Sequence, residues 1–142
     1  MATINPYLNF DGNCEEAFEF YRSVFGGEFL AQMRFKDVPP EIALPESEGE
    51  KIMHIALPVG QGTILMGSDT PAEMGPTQNG NNYYISISAA SRAEATSLFK
   101  GLSAGGQVTM PLEKAFWGSY FGMFTDKFGI QWMVSYDESQ QS

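Results

Sequence analysis

Chemistry in this chain would have to come from few residues. His54 is its only histidine and Cys14 its only cysteine. A neutral imidazole exchanges protons near pH 7, so His54 could act as a general base or hydrogen-bond a ligand. A base needs an orienting partner, however, and none is evident in the sequence, which favours a structural histidine. Cys14 opens an apolar helical stripe. A helix start can lower a thiol pKa, but a place in the stripe marks a buried small residue rather than a nucleophile. Trp117, with Phe116, Tyr120 and Phe124, could stack a planar or cationic ligand, or equally fill a core and a dimer contact. No G-x-S-x-G elbow, P-loop or H-E-x-x-H occurs. No glycine-rich turn joins a strand to a helix as a nucleotide site requires, and Gly105-Gly106 follows a helix as its cap.

The elements that must position these residues repeat. "TINPYLNF" (3–10) reads as a strand, and Cys14, Ala17, Phe18, Tyr21, Val24 and Phe25 fall at helical spacing over 13–25. Asn13 is the expected N-cap, Glu16 stands three residues on, and Gly26-Gly27 ends the helix. "NYYISISA" (82–89) is again a strand, followed by a helix over 91–102 with a Ser91/Glu94 capping box and a terminal Gly105-Gly106, 79 residues after the first pair. Three strands follow each helix, at 28–35, 51–59 and 63–68, then at 107–113, 119–126 and 129–136. The predicted organisation is module one at 1–68, a linker at 69–81, module two at 82–137 and a disordered tail at 138–142. Helices then cover one face of each sheet, with Leu8, Phe10, Ile85 and Ile87 beneath them, and the opposite faces curve around a cavity. If Val59 pairs with Thr63, His54 lies opposite Ser68 and shares a face with Met66.

Charge limits the partners. The formal net charge is -9 and the sequence pI about 4.4, which disfavours nucleic acid and anionic membranes. Asp37, Glu41, Glu46, Glu48 and Glu50 cluster without Lys or Arg among three prolines, so 37–50 is expected to be an exposed loop, or a lid. No apolar run approaches the roughly 20 residues of a membrane span, and "MATINPYLNF" lacks the pattern of a signal peptide. With a single cysteine no intrachain disulfide is possible, and the expected location is the cytoplasm.

The repeated βαβββ plan, together with "PYLNFDGNCEEAFEFY", "GGQVTMPLEKAFW" and "FGMFTDKFGIQWMVSYD", resembles the vicinal oxygen chelate superfamily. That group includes glyoxalase I, extradiol dioxygenases and bleomycin-resistance proteins. The closer similarity is to its PhnB-like branch, also labelled 3-demethylubiquinone 3-methyltransferase-like. The resemblance implies an α+β fold, two βαβββ modules forming a curved mixed sheet with a cavity, and a homodimer. Enzymes of the superfamily hold a metal at four strand positions, and by motif these fall at Asn5, Met66, Tyr84 and Met133. None is a usual ligand for a hard or borderline cation, so no metal and no other cofactor is expected. The predicted ligand pocket comprises Asn5, Tyr7, His54, Met66, Tyr84, Ser86, Trp117, Phe124, Gln131 and Met133. The expected function is metal-independent binding of a small molecule, aromatic or cationic. The alternative is a divergent enzyme of lyase, isomerase or dioxygenase type, using His54 or a metal at other positions on a small oxygenated substrate.

Overall fold

The computed structural model describes residues 2–37, 48–60 and 62–137; the expected tail at 138–142 and residues 38–47 of the acidic stretch lie outside them. Two compact units divide the chain, Met1–Gln78 and Asn79–Ser142, here modules one and two. Module one contains β1 (Tyr7–Phe10), α1 (Cys14–Phe25), β2 (Ala31–Arg34), β3 (Ile52–Val59) and β4 (Thr63–Asp69). Module two contains β5 (Ile85–Ser88), α2 (Arg92–Ser103), β6 (Gln107–Lys114), β7 (Ser119–Thr125) and β8 (Gln131–Asp137). Each is one helix and a mixed four-stranded sheet, ordered β1-β4-β3-β2 and β5-β8-β7-β6, so the class is α+β with two βαβββ modules. The first pair in each order is parallel and the others antiparallel. Among the described residues no helix is long and apolar enough to cross a membrane.

The strand registers carry the internal repeat. Tyr7 pairs with Met66 as Ser86 pairs with Met133, and Ala31 with Ala56 as Met110 with Met123. Ser86 and Met110 stand 79 residues after Tyr7 and Ala31, whereas Met123 and Met133 stand 67 after Ala56 and Met66. The 12 extra residues of module one therefore all lie between Ala31 and Ala56, the stretch that holds the acidic cluster.

Packing assigns the faces. In module one Leu8, Phe10, Leu65 and the α1 residues Ala17, Phe18 and Tyr21 are buried together. A Cβ on Gly67 would meet the Phe18 ring at 2.7 Å, so the backbone of β4 lies directly under α1. In module two the Phe99 ring of α2 stands edge-on to Phe124, 5.0 Å between centroids, and a Cβ on Gly122 would strike Phe99 at 2.6 Å. Gly122, Phe124, Trp132 and Val134 thus form the covered side of the second sheet.

The two helix starts are built differently. Ser91 Oγ accepts the Glu94 N–H at 3.0 Å and the Glu94 carboxylate accepts the Ala90 N–H at 2.8 Å, as the local pattern predicts. Asn13 makes no side-chain cap, contrary to expectation. The buried carboxylate of Asp69 takes that role, accepting the Gly12 and Cys14 N–H groups at 2.9 Å each.

The acidic stretch also needs correction at its described end. Glu48 is buried, not solvated, because its carboxylate accepts the Ala72 N–H at 2.6 Å and pairs with Lys51 at 2.7 Å. The Lys51 ammonium, followed by the Ala72 N–H, holds the Glu48 carboxyl below the usual range. The stretch read as a linker is bonded into module one at several points. Thr70 N–H donates to the Phe10 carbonyl, and Thr77 N–H and Oγ1 donate to Asp11.

Candidate functional site

Each sheet leaves one face without a helix, and the predicted site residues sort by which face they occupy. Alternation along β4 puts Leu65, Gly67 and Asp69 under α1 and turns Met66 and Ser68 away. Tyr7, directly opposite Met66, is exposed on the same side. The β3–β4 register runs from Val59 opposite Thr63 to Ile55 opposite Gly67, and one step further aligns His54 with Ser68. The Tyr7 hydroxyl lies 3.4 Å from His54 Nδ1, and their rings stack at 5.9 Å with 29° between planes. Met33 of β2 pairs with His54 from the other side. Tyr7, His54 and Met66 therefore form one partly exposed aromatic and thioether patch, with Met33 at its margin.

Module two carries the corresponding row in different chemistry. Ser86, Met133, Met123 and Met110 pair successively across β5, β8, β7 and β6. Met123 and Met110 were not legible as neighbours of Met133, because only the ladder brings residues so far apart in sequence into line. Trp117, in the β6–β7 turn, has its ring 5.6 Å from Phe121, which shares the helix-free face with Met123.

Other predicted pocket residues are placed elsewhere or already engaged. Phe124 lies fully buried against Phe99, on the helix-covered side, so the structure separates it from Met133. Asn5 precedes β1 and its Oδ1 accepts the Ile64 N–H at 2.9 Å, fastening the chain to β4. Gln131 is buried with its amide donating to the Tyr83 carbonyl at 2.7 Å. Tyr84 is half-buried just before β5.

The same registers test the donor set for a metal. Opposite Met66 and Met133 stand Tyr7 and Ser86, while Asn5 and Tyr84 come two residues earlier, before the strands begin. Thioethers, neutral amide, phenol and hydroxyl do not fit a hard or borderline divalent cation. Among the described residues no three His, Cys, Asp or Glu side chains are grouped so that they could hold a metal ion.

The family model for the glyoxalase/bleomycin resistance protein/dioxygenase superfamily matches residues 3–134. The chain belongs to this superfamily. Among solved structures, protein PA1353 of Pseudomonas aeruginosa is 43% identical with a TM-score of 0.84, covering 96% of this chain and 98% of that one. A PhnB protein from Bacillus cereus is 25% identical with a TM-score of 0.75, covering 95% and 99%. Protein YjdN of Escherichia coli K12 is 26% identical over 148 residues, which span 96% of this chain and 97% of YjdN. The superfamily fold and the PhnB-like neighbour agree with the resemblance carried by the sequence motifs.

Cys14 has no part in either open face of this superfamily member. It is fully buried, and burial, followed by the negative charges of Asp69 and Glu15, pushes its thiol well above the ordinary range. At pH 8 it is expected to react with an aromatic disulfide reagent about a hundredfold more slowly in the native protein than in urea. Equal rates in both would place the thiol at an accessible surface.

Proposed function

We propose that this protein binds a small planar or cationic molecule without a metal, on the helix-free face that carries Tyr7, His54 and Met66. The observation that carries this reading is the partly exposed Tyr7–His54 stack beside Met66, on a sheet whose matching positions offer no metal donors. Aromatic faces and thioethers give polarizable contact to a flat ligand, and the Tyr7 hydroxyl and His54 imidazole offer polar handles. The net charge of -9 favours a cation over an anion. The reading includes a homodimer and a cytoplasmic location, as the resemblance and the single cysteine imply.

The test is calorimetric titration with planar organic cations of the acridinium and quinolinium type, alongside manganese and nickel chlorides. Binding of a cation, weakened about tenfold by Tyr7→Ala or His54→Ala, is expected, since one aromatic contact contributes about 1–2 kcal/mol. Stoichiometric binding of a divalent ion that is lost in His54→Ala, with no response to the cations, would overturn it. That outcome would favour a second reading, a His54-dependent enzyme acting on a small oxygenated substrate. Its support is the Tyr7 hydroxyl 3.4 Å from Nδ1, which supplies the orienting partner that the sequence did not reveal.

A further inference from the structure

The two modules repeat a fold but differ at the free edge of the sheet. In module one the edge strand β2 has only 4 residues and a register break between Met33 and Arg34. Charged groups line it: Arg34 pairs with Glu15 at 2.6 Å, and Lys36, just beyond, with Glu50 at 2.6 Å. Short length, a bulge and charge are the devices that keep a sheet edge from joining another chain.

The equivalent edge in module two is twice as long; its register breaks on either side of Met110 and its charges, Glu113 and Lys114, stand at its end, while residues 107–110 carry none. Strand β6 has 8 residues, pairs with β7 on one side and has no strand on the other among the described residues. Val108 and Met110 are exposed along it. At the turn that follows, Phe116 is 97% exposed and Trp117 54%, with their rings 4.9 Å apart. Phe, Trp and Met are enriched in interface cores, where charges are depleted. Exposed aromatics in contact with one another beside an open edge form a patch, which scattered single exposures do not.

Charge indicates what covers the patch. Met1–Gln78 contains 12 acids and 4 bases, net -8, whereas Asn79–Ser142 contains 5 acids and 4 bases, net -1. A second copy is repelled at module one and meets almost no net charge at module two. We propose that two copies associate through the β6 edge and the Phe116–Trp117 turn of module two. The contact is isologous, each copy presenting the same patch, so it closes at two. Pro111 has no N–H to offer a partner strand and the register of β6 breaks on either side of Met110, which makes the contact one of side chains rather than a continuing sheet.

This inference rests on the homodimer reading above and adds its surface. Sedimentation equilibrium on the full chain separates the two. The wild type is expected to be a dimer, and the double variant Phe116→Ser/Trp117→Ser to dissociate at least about a hundredfold more readily, because buried aromatic anchors dominate such contacts. Leu30→Ser, at an exposed apolar residue of module one, is expected to leave the dimer unchanged. Val108→Glu provides an independent variant that sets like charges across the contact, and thermal melts establish that each variant is folded. A wild type that stays monomeric at high concentration overturns the dimer reading and this surface with it. A wild-type dimer unaffected by both the double variant and Val108→Glu overturns the surface alone.

Discussion

Asp69→Ala is expected to destabilise module one by about 3–5 kcal/mol, measured by urea unfolding followed by far-UV circular dichroism. The carboxylate is buried at the end of β4 and accepts the N–H groups of Gly12, Cys14 and Ile52, each at 2.9 Å. It joins the start of α1 and the start of β3 to the end of β4. Alanine leaves these donors without their acceptor, and each buried donor left unpaired costs about 1–3 kcal/mol. A small module with a total stability of about 5–15 kcal/mol has little reserve against such a loss. Asp69→Asn retains a carbonyl-type oxygen for Gly12 and Cys14 but turns an amide N–H toward Ile52, so an intermediate loss is expected. If alanine costs under about 1 kcal/mol, the three donors have other partners and the capping role fails.

That carboxylate also shows where sequence reasoning stops. The start of α2 was legible because its capping box is local, with Ser91 and Glu94 three residues apart. The start of α1 was not, because its acceptor comes from a residue 55 positions beyond Cys14. Glu48 was misread for the same reason: Lys51 is near in sequence, but the Ala72 N–H that helps to bury it is not. No composition rule distinguishes an acid that finds such a donor from one that stays in water.

The open faces were partly legible on similar grounds. A tight hairpin fixes its own register, so the alignment of His54 with Ser68 followed from Val59 and Thr63. The parallel β1–β4 pair is joined through a helix and two strands, and no local turn sets its register. The contact between Tyr7 and His54 consequently emerged only from the structure. Phe124 illustrates the other limit. In "SYFGMFTD" both alternating sets contain aromatics, so periodicity could not choose the covered side. The contact of Gly122 with Phe99 decides it.

Asp126→Ala is expected to have an effect of similar size in module two, and its consequence reaches the open face. The buried carboxylate accepts the Phe128 and Ile130 N–H groups at 2.8 and 3.0 Å and the Trp132 indole N–H at 2.9 Å. Together with the left-handed Gly129, this closes the turn between β7 and β8 and anchors Trp132 beneath α2. Its loss removes the carboxylate acceptor of three donors and should cost about 3–5 kcal/mol by urea unfolding. Asp126→Asn recovers only part, since an amide that serves the two backbone donors turns its own N–H toward the indole. In a Trp117→Phe background the indole proton of Trp132 is expected to exchange with solvent about a hundredfold faster in the Asn variant, as anchoring gives way to local opening. Unchanged protection with an alanine cost below about 1 kcal/mol would show that packing alone holds the strand. The anchor matters beyond stability because strand side chains alternate: a one-residue slip of β8 would exchange Trp132 and Met133 between faces. The stretch from Phe124 to Tyr136 thus works as a clasp, in which Asp126 sets the phase that presents Met133, in line with Met123 and Ser86, on the helix-free side.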